Sequence, residues 1–305
     1  MNGIKKKKVS LMSKLKKKKI SSMDIVAFLV LTLGGIIVLF PFWNMIVISF
    51  TTQKEYMETP LLIFPKNPVL EAYQALVGDG RIWIGFRTTF LYLLLGVPLN
   101  LFLTTSLAYG LSRKDYPGSK LIRALILFTM LFGGGIIPLY LVMKSMHLTN
   151  TIWAVILAYG VNTFNAILMS KFFASLPESL LESAKLDGAG DWKMLYYIII
   201  PLSKPIFATI TLFYTVDRWN EWYNSMIFVR KNSLQPLQLV LRSIVIDSQV
   251  QAKIASMGVV SIEQYAFDMA VKMAAVVVTI IPVMCVFPFL QKHFVKGVMI
   301  GAVKE

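Results

Sequence analysis

The chain has 305 residues, 56% hydrophobic and only 15% charged, with a mean hydropathy of +0.65. Soluble chains carry about 25% charged residues, so a water-soluble globular protein is excluded and a polytopic membrane protein is indicated. The net charge of +15 is concentrated in residues 1–20, with nine Lys and no acid; no aromatic or Gly-rich interleaving accompanies them, which argues against nucleic acid as a partner.

The first element is this leader, with Lys5 to Lys8 and Lys16 to Lys19 just before an apolar segment. It reads as a positive-inside topology signal, held to anionic membrane lipid. The apolar segment from Ile25 to Ser49 is too long for the core of a cleavable signal peptide and lacks a small-residue cleavage site.

Segments of about 20 apolar residues span a hydrocarbon core of about 30 Å, and six are predicted. The first runs from Ile25 to Phe50, interrupted by Pro41, and a polar loop with Pro60, Pro65 and Pro68 follows. The second covers Ile84 to Leu111, and the third Leu121 to Met146, loosened by Gly133-Gly134-Gly135 and Pro138. The fourth covers Thr151 to Phe173, the fifth Pro205 to Val229, and a second long outer loop leads to the sixth, Phe267 to Leu290. The fold class is therefore all-α, a multi-pass bundle. The chain divides into a leader (1–20), a first helix with its outer loop (21–84), a five-helix core (85–292) containing a polar loop (175–201), and a tail (293–305).

Charge gives the orientation. One inner connection carries Arg113, Lys114, Lys120 and Arg123, the other Lys171, Lys185, Lys193 and Lys204, and the tail adds Lys292, Lys296 and Lys304. The first outer loop mixes both signs, and long outer loops translocate largely regardless of charge. Both termini are predicted to be cytoplasmic.

The loop between the fourth and fifth helices begins with Ser175-Leu176-Pro177-Glu178, a helix start with a small polar cap, early Pro and acid in the first turn. Leu180, Leu181 and Ala184 share one face. Asp187-Gly188 permits a sharp turn, and a second short helix from Asp191 through Tyr197 offers Trp192, Leu195 and Tyr196 for packing. A helix–turn–helix knob is expected.

The fifth helix holds Asp217, Arg218, Trp219, Asn220, Glu221, Trp222, Tyr223 and Asn224 in sequence. Charged groups at membrane depth cost about 2.5–3.5 kcal/mol each on insertion scales, so they face partners or a watery cavity. Aromatic rings beside amides and carboxylates suit sugar recognition, with rings on the C–H faces and Asn and Glu on the hydroxyls. The other reading is an interfacial aromatic belt with neighbour salt bridges such as Asp217 with Arg218. On the fourth helix Asn162 and Asn165 are three apart and expected to share a face, lining the path or bonding between helices.

Cys285 is the single cysteine, so no internal disulfide forms, and His147 and His293 are far apart in sequence. No Cys/His cluster has metal-ligand spacing, and a nucleophile–base pair for a membrane enzyme is not evident.

Glu182-Ser183-Ala184, three residues, Gly188, nine residues, then Ile198-Ile199-Ile200-Pro201 resembles the coupling loop of ABC importer permeases, whose pattern is Glu-Ala-Ala, Gly, Ile-x-Leu-Pro. Ser183 replaces a second small residue and Ile200 a Leu. Leu234-Gln235-Pro236-Leu237-Gln238-Leu239-Val240-Leu241-Arg242, together with Trp219-Asn220-Glu221 and the C-terminal Phe294-Val295-Lys296-Gly297 and Gly301-Ala302-Val303-Lys304, is similar to the carbohydrate-uptake branch, near the smaller permease of maltose-type systems and the sub-branch for larger or modified oligosaccharides.

The resemblance, which spans Ile25 to the end, implies a type I importer permease fold. It also implies a homologous second permease, an ABC ATPase dimer, an extracytoplasmic sugar-binding protein and an oligosaccharide substrate. The ATPase would bind ATP and Mg, and no cofactor is expected in this chain, which has no Gly-x-x-x-x-Gly-Lys-Ser/Thr loop. By the same resemblance, the knob would seat in a cleft of the ATPase. Glu182 would pair with a basic group there, Ala184 and Gly188 would be small for close approach, and Ser183, Asp187 and Trp192 would complete the coupling surface. The tail would reach between the ATPase subunits. An ion-gradient transporter is the alternative, weakened by the outer placement of Asp217, Glu221 and Asp268 and by the lack of a visible repeat.

Overall fold

A computed structural model describes residues 22–59, 62–113, 118–256 and 269–285. The Lys-rich leader, the C-terminal tail and both ends of the expected sixth helix lie outside the described residues. All regular structure within them is helical.

Helix α1 (Ser22–Ser49) is one continuous span, and Pro41 does not break it. Only Val47, Ile48 and Ser49 are buried. An apolar helix this open must meet lipid or another membrane chain, since water would not tolerate such a face. Short helices α2 (Gln53–Glu58) and α3 (Glu71–Gly78) occupy the first outer loop. Glu55 folds that loop by accepting from the Lys66 backbone N–H at 2.6 Å.

Helix α4 (Gly80–Ser112) is the second unbroken span, with a π-turn at Tyr92–Gly96. The third expected helix is not one rod. It is α5 (Ser119–Leu131) and α6 (Ile136–Ser145), bent by 113° where Gly135 takes φ +82°. The fourth is likewise divided, into α7 (Ile152–Ala158) and α8 (Thr163–Ala174), bent by 54°. After α9 (Glu178–Leu186) and α10 (Asp191–Leu202), the chain turns 85° into α11 (Lys204–Trp219). The fifth expected helix thus stops at Trp219, ten residues short, and α12 (Tyr223–Phe228) follows separately.

The second outer loop contains a twenty-residue helix, α13 (Leu237–Ser256), in a stretch that the sequence reads as loop. Helix α14 (Met269–Cys285) is apolar and lies within the expected sixth span. By length and composition the described residues therefore hold two unbroken candidate spans, three bent pairs and one shorter apolar helix, α14, inside the expected sixth.

Three buried clusters hold these pieces together. Trp219, Leu237, Val240 and Ala274 join α11, α13 and α14; Met169, Phe173, Met194, Ile199 and Ile210 join α8, α10 and α11; Tyr92, Val155, Ile156 and Phe228 join α4, α7 and α12. The second cluster fastens the 175–201 loop to the bundle.

Candidate functional site: a polar cavity and a helix–turn–helix knob

The end of α11 and the start of α12 face the break between α7 and α8, and a cavity of about 420 Å³ lies between them. Asn162, Asn220, Glu221, Trp222, Tyr223 and Asn224 line it, together with Tyr159, Tyr214, Asp217 and Arg218. Polar residues gather here because the helix stops. Asn220 ends α11 with its backbone N–H and its Nδ2 both donating to the Val216 carbonyl at 3.0 Å. Glu221, buried at 9% exposure, receives the Asn224 N–H on Oε1 and Asn224 Nδ2 on Oε2, each at 2.9 Å. It thereby satisfies an orphan donor at the start of α12.

Two of the expected path residues are elsewhere. Trp219 is buried in the core, edge-on to Phe90 at 6.5 Å between ring centres. Asn165 is also buried, and Asn162 does not share a helix face with it. Instead Asn162 is the N-cap of α8, its Oδ1 accepting from the Asn165 N–H at 3.2 Å. The backbone break at 159–162 turns what looked like a helix-face pair into a cap.

The rings at the cavity are unequal. Trp222 carries the Arg242 guanidinium 4.8 Å from its ring centre and meets Tyr223 edge-on at 5.6 Å. Tyr159 and Tyr223 are exposed. Amide and carboxylate groups beside exposed rings can take hydroxyls and C–H faces of a sugar.

The Asp217–Arg218 salt bridge that the belt reading would bring does not form among the described residues. Arg218 turns inward, 4% exposed, and donates to Asn100 Oδ1 (3.1 Å) and to the carbonyls of Val155 (3.0 Å), Ile156 (2.9 Å) and Tyr159 (3.3 Å). Sequence reading missed Arg218, Asn100 and Tyr214 as organisers of this site. The available signal was an amide, Asn100, isolated in an apolar span with Thr104 one turn on.

The 175–201 loop forms the expected knob. Ser175, however, does not cap its first helix: it ends α8, its Oγ donating to the Phe172 carbonyl, and Pro177 precedes α9. Gly188 takes φ +77°, and the Ala189 and Gly188 N–H groups donate to the Ala184 and Lys185 carbonyls at 2.9 and 3.0 Å. This is a Schellman C-cap, which favours Gly at that position.

Ala184 is buried against its own chain, whereas Glu182, Ser183 and Asp187 are exposed. Leu186 is 89% and Trp192 62% exposed, and Trp192 stacks on Tyr196 with 6.3 Å between ring centres. Leu195 is buried. A second cavity of about 530 Å³, lined in part by Arg113, Phe173, Leu181, Glu182 and Lys185, separates the knob from the ends of α4 and α8. Leu186, Trp192 and Tyr196 are therefore large apolar side chains left open on a polar loop.

Residues 36–223 match a family model described as binding-protein-dependent transport system inner membrane component. The chain is 38% identical over 282 residues to the polygalacturonan/rhamnogalacturonan transport system permease protein YtcP of Bacillus subtilis (strain 168), covering 92% of this chain and 98% of that one. It is 28% identical over 275 residues to the diacetylchitobiose uptake system permease protein NgcG of Streptomyces coelicolor, with 89% and 86% covered. A chain of a bacterial ABC transporter involved in import of the acidic polysaccharide alginate superposes with a TM-score of 0.80 at 29% identity, covering 91% of this chain and 98% of that one.

Proposed function

The chain belongs to the family of binding-protein-dependent transport system inner membrane components, permeases of ABC importers, and on that premise we propose that it carries oligosaccharides. The observation behind this reading is the cavity at the α11–α12 junction, where Asn162, Asn220, Asn224 and Glu221 converge with Tyr159, Trp222 and Tyr223. Those groups match the hydroxyls and C–H faces of sugar rings, and the similar proteins named above serve sugar polymers or their fragments.

A homologous second permease would close the other side of the path, and the open faces of α1 supply apolar surface for it or for lipid. The knob at 175–201 would seat on an ABC ATPase dimer, with Glu182, Ser183, Asp187, Gly188 and Trp192 at the contact and Ala184 supporting it from within. ATP and Mg belong to that partner. An extracytoplasmic binding protein would deliver the sugar, and both termini would lie in the cytoplasm of a bacterial cell.

The test is reconstitution of the chain with its second permease and ATPase in proteoliposomes. ATP-dependent uptake of labelled oligosaccharide, stimulated by a sugar-loaded binding protein and indifferent to ionophores, is expected. Uptake that follows an ion gradient without ATP would overturn the reading.

A further inference from the structure

The span formed by α7 and α8 is broken at residues 159–162, in the wall of the cavity, and a break within a span leaves backbone groups that need partners. Two other helices supply them, each with a pair of side chains one turn apart. From α11, Arg218 donates to the carbonyls of Val155, Ile156 and Tyr159, all in the last turn or C-cap of α7, while Tyr214 Oη accepts from the Asn162 N–H at 3.0 Å. From α4, Asn100 Nδ2 donates to the Gly160 carbonyl at 2.6 Å, its Oδ1 accepts from Arg218 Nε, and Thr104 shares a hydrogen bond with Tyr214. Asn100, Thr104 and Tyr214 are buried with Arg218.

A cation at a helix C-terminus also meets the negative end of the helix dipole. The room for it is specific: a Cβ on Gly96 would stand 3.2 Å from Arg218 Nε.

We propose that Asn100, Thr104, Tyr214 and Arg218 form a clamp that sets the backbone of the α7–α8 break, and so places Tyr159 and Asn162 in the cavity wall, with Arg218 acting as a positioning residue. Arg218 lies at the cavity, and a guanidinium there invites assignment as the group that binds an acidic sugar. Four of its five N–H donors are already directed at three carbonyls and an amide oxygen, so its work is on the chain. The same break begins α8, which runs to the knob, so the clamp lies between the cavity and the coupling surface. The transport consequence rests on the oligosaccharide reading; the clamp itself does not.

The experiment uses the assembled importer with Cys285→Ser and Tyr159→Cys in this chain, and follows modification of this subunit by 2-aminoethyl methanethiosulfonate by mass. Arg218→Met is expected to change the rate of thiol modification at position 159 by about tenfold or more. Arg218→Lys should recover part of the difference, and Thr104→Val should shift it in the same direction as Arg218→Met by a smaller factor. In importers that keep Tyr159, uptake by the Arg218→Met variant should fall in maximal rate more than it rises in KM.

An unchanged thiol rate with a raised KM would make Arg218 a sugar ligand and overturn the proposal. If Arg218→Met does not assemble, Thr104→Val decides: a normal thiol rate there would reduce the four residues to core packing and overturn it too. Because the thiol readout contains no sugar, it is independent of whether the importer carries one.

Discussion

Arg113 at the end of α4 reaches Asp191 at the start of α10, Nη2 to Oδ1 at 3.6 Å, with the Tyr109 hydroxyl between them. That hydroxyl accepts from Arg113 at 2.9 Å and donates to Asp191 at 2.8 Å. The knob is thus tied to the helix that also carries Asn100 and Thr104. A half-exposed pair of this sort contributes about 0–1 kcal/mol to stability. Its effect is expected in transmission instead. Asp191→Asn combined with Tyr109→Phe should leave the melting temperature of the importer nearly unchanged and lower uptake per ATP hydrolysed by roughly threefold. An unchanged ratio would remove this tie from the coupling route.

Gly85 on α4 marks where α13 crosses it. An added Cβ would stand 2.9 Å from Leu237 Cα and 3.2 Å from its nitrogen, both backbone atoms that cannot rotate away. The Leu237 N–H donates to Thr89 Oγ1 at the same crossing. Gly85→Ala should therefore destabilise by about 1–3 kcal/mol, read as a lower melting temperature of the assembled importer. No change would mean that α13 sits less tightly on α4 than this.

The bundle was legible in the sequence where apolar length alone decides, as for α1 and α4. It was not legible where a span breaks. Gly133-Gly134-Gly135 announced a weakness, but Tyr159-Gly160-Val161-Asn162 looked continuous, because the partners that satisfy this break, Arg218 and Asn100, are 118 positions apart. Helix α13 was hidden for another reason: its mixed polar and apolar faces resemble a loop until α4 and α14 cover one side. The knob was the clearest element, since its turn chemistry is local to Ala184–Ala189.

Asp79 begins α4, its Oδ1 accepting from the Arg81 N–H at 2.9 Å, and the Arg81 guanidinium holds its carboxyl below the usual carboxylate range. A depressed folded-state pKa contributes stability above the unfolded value of about 3.9 and loses it as pH falls through the lower folded value. The melting difference between the native importer and Asp79→Asn should accordingly stay flat from about pH 8 to pH 5. A difference that closes within that window would show a raised carboxyl and contradict the geometry.

Asn220 and Glu221 are neighbours with different duties. Glu221, just before the N-cap Trp222, accepts the Asn224 N–H and its side-chain amide at the start of α12, whereas Asn220 is open to the cavity and its amide donates, among the described residues, to the carbonyl one turn back. Glu221→Ala should destabilise by about 1 kcal/mol, the usual worth of a helix cap, and disturb the cavity wall with it. Asn220→Ala should keep the melting temperature and alter uptake or the ranking among oligosaccharides. Reversed outcomes in thermal unfolding would reverse these assignments.

Gly188 separates two explanations of the knob. Among the described residues nothing lies within 4 Å of a Cβ added there, so packing against them does not demand glycine. The backbone does, at φ +77°. An L side chain in that region costs about 1–2 kcal/mol, and Asn tolerates it better than other residues. If conformation is the whole requirement, Gly188→Asn should retain most ATP-driven uptake and Gly188→Val should lose most of it. If the ATPase cleft also demands a small residue, both variants should fail although Gly188→Asn keeps the turn. Equal, normal uptake in both would mean that the knob does not couple to the ATPase through this turn.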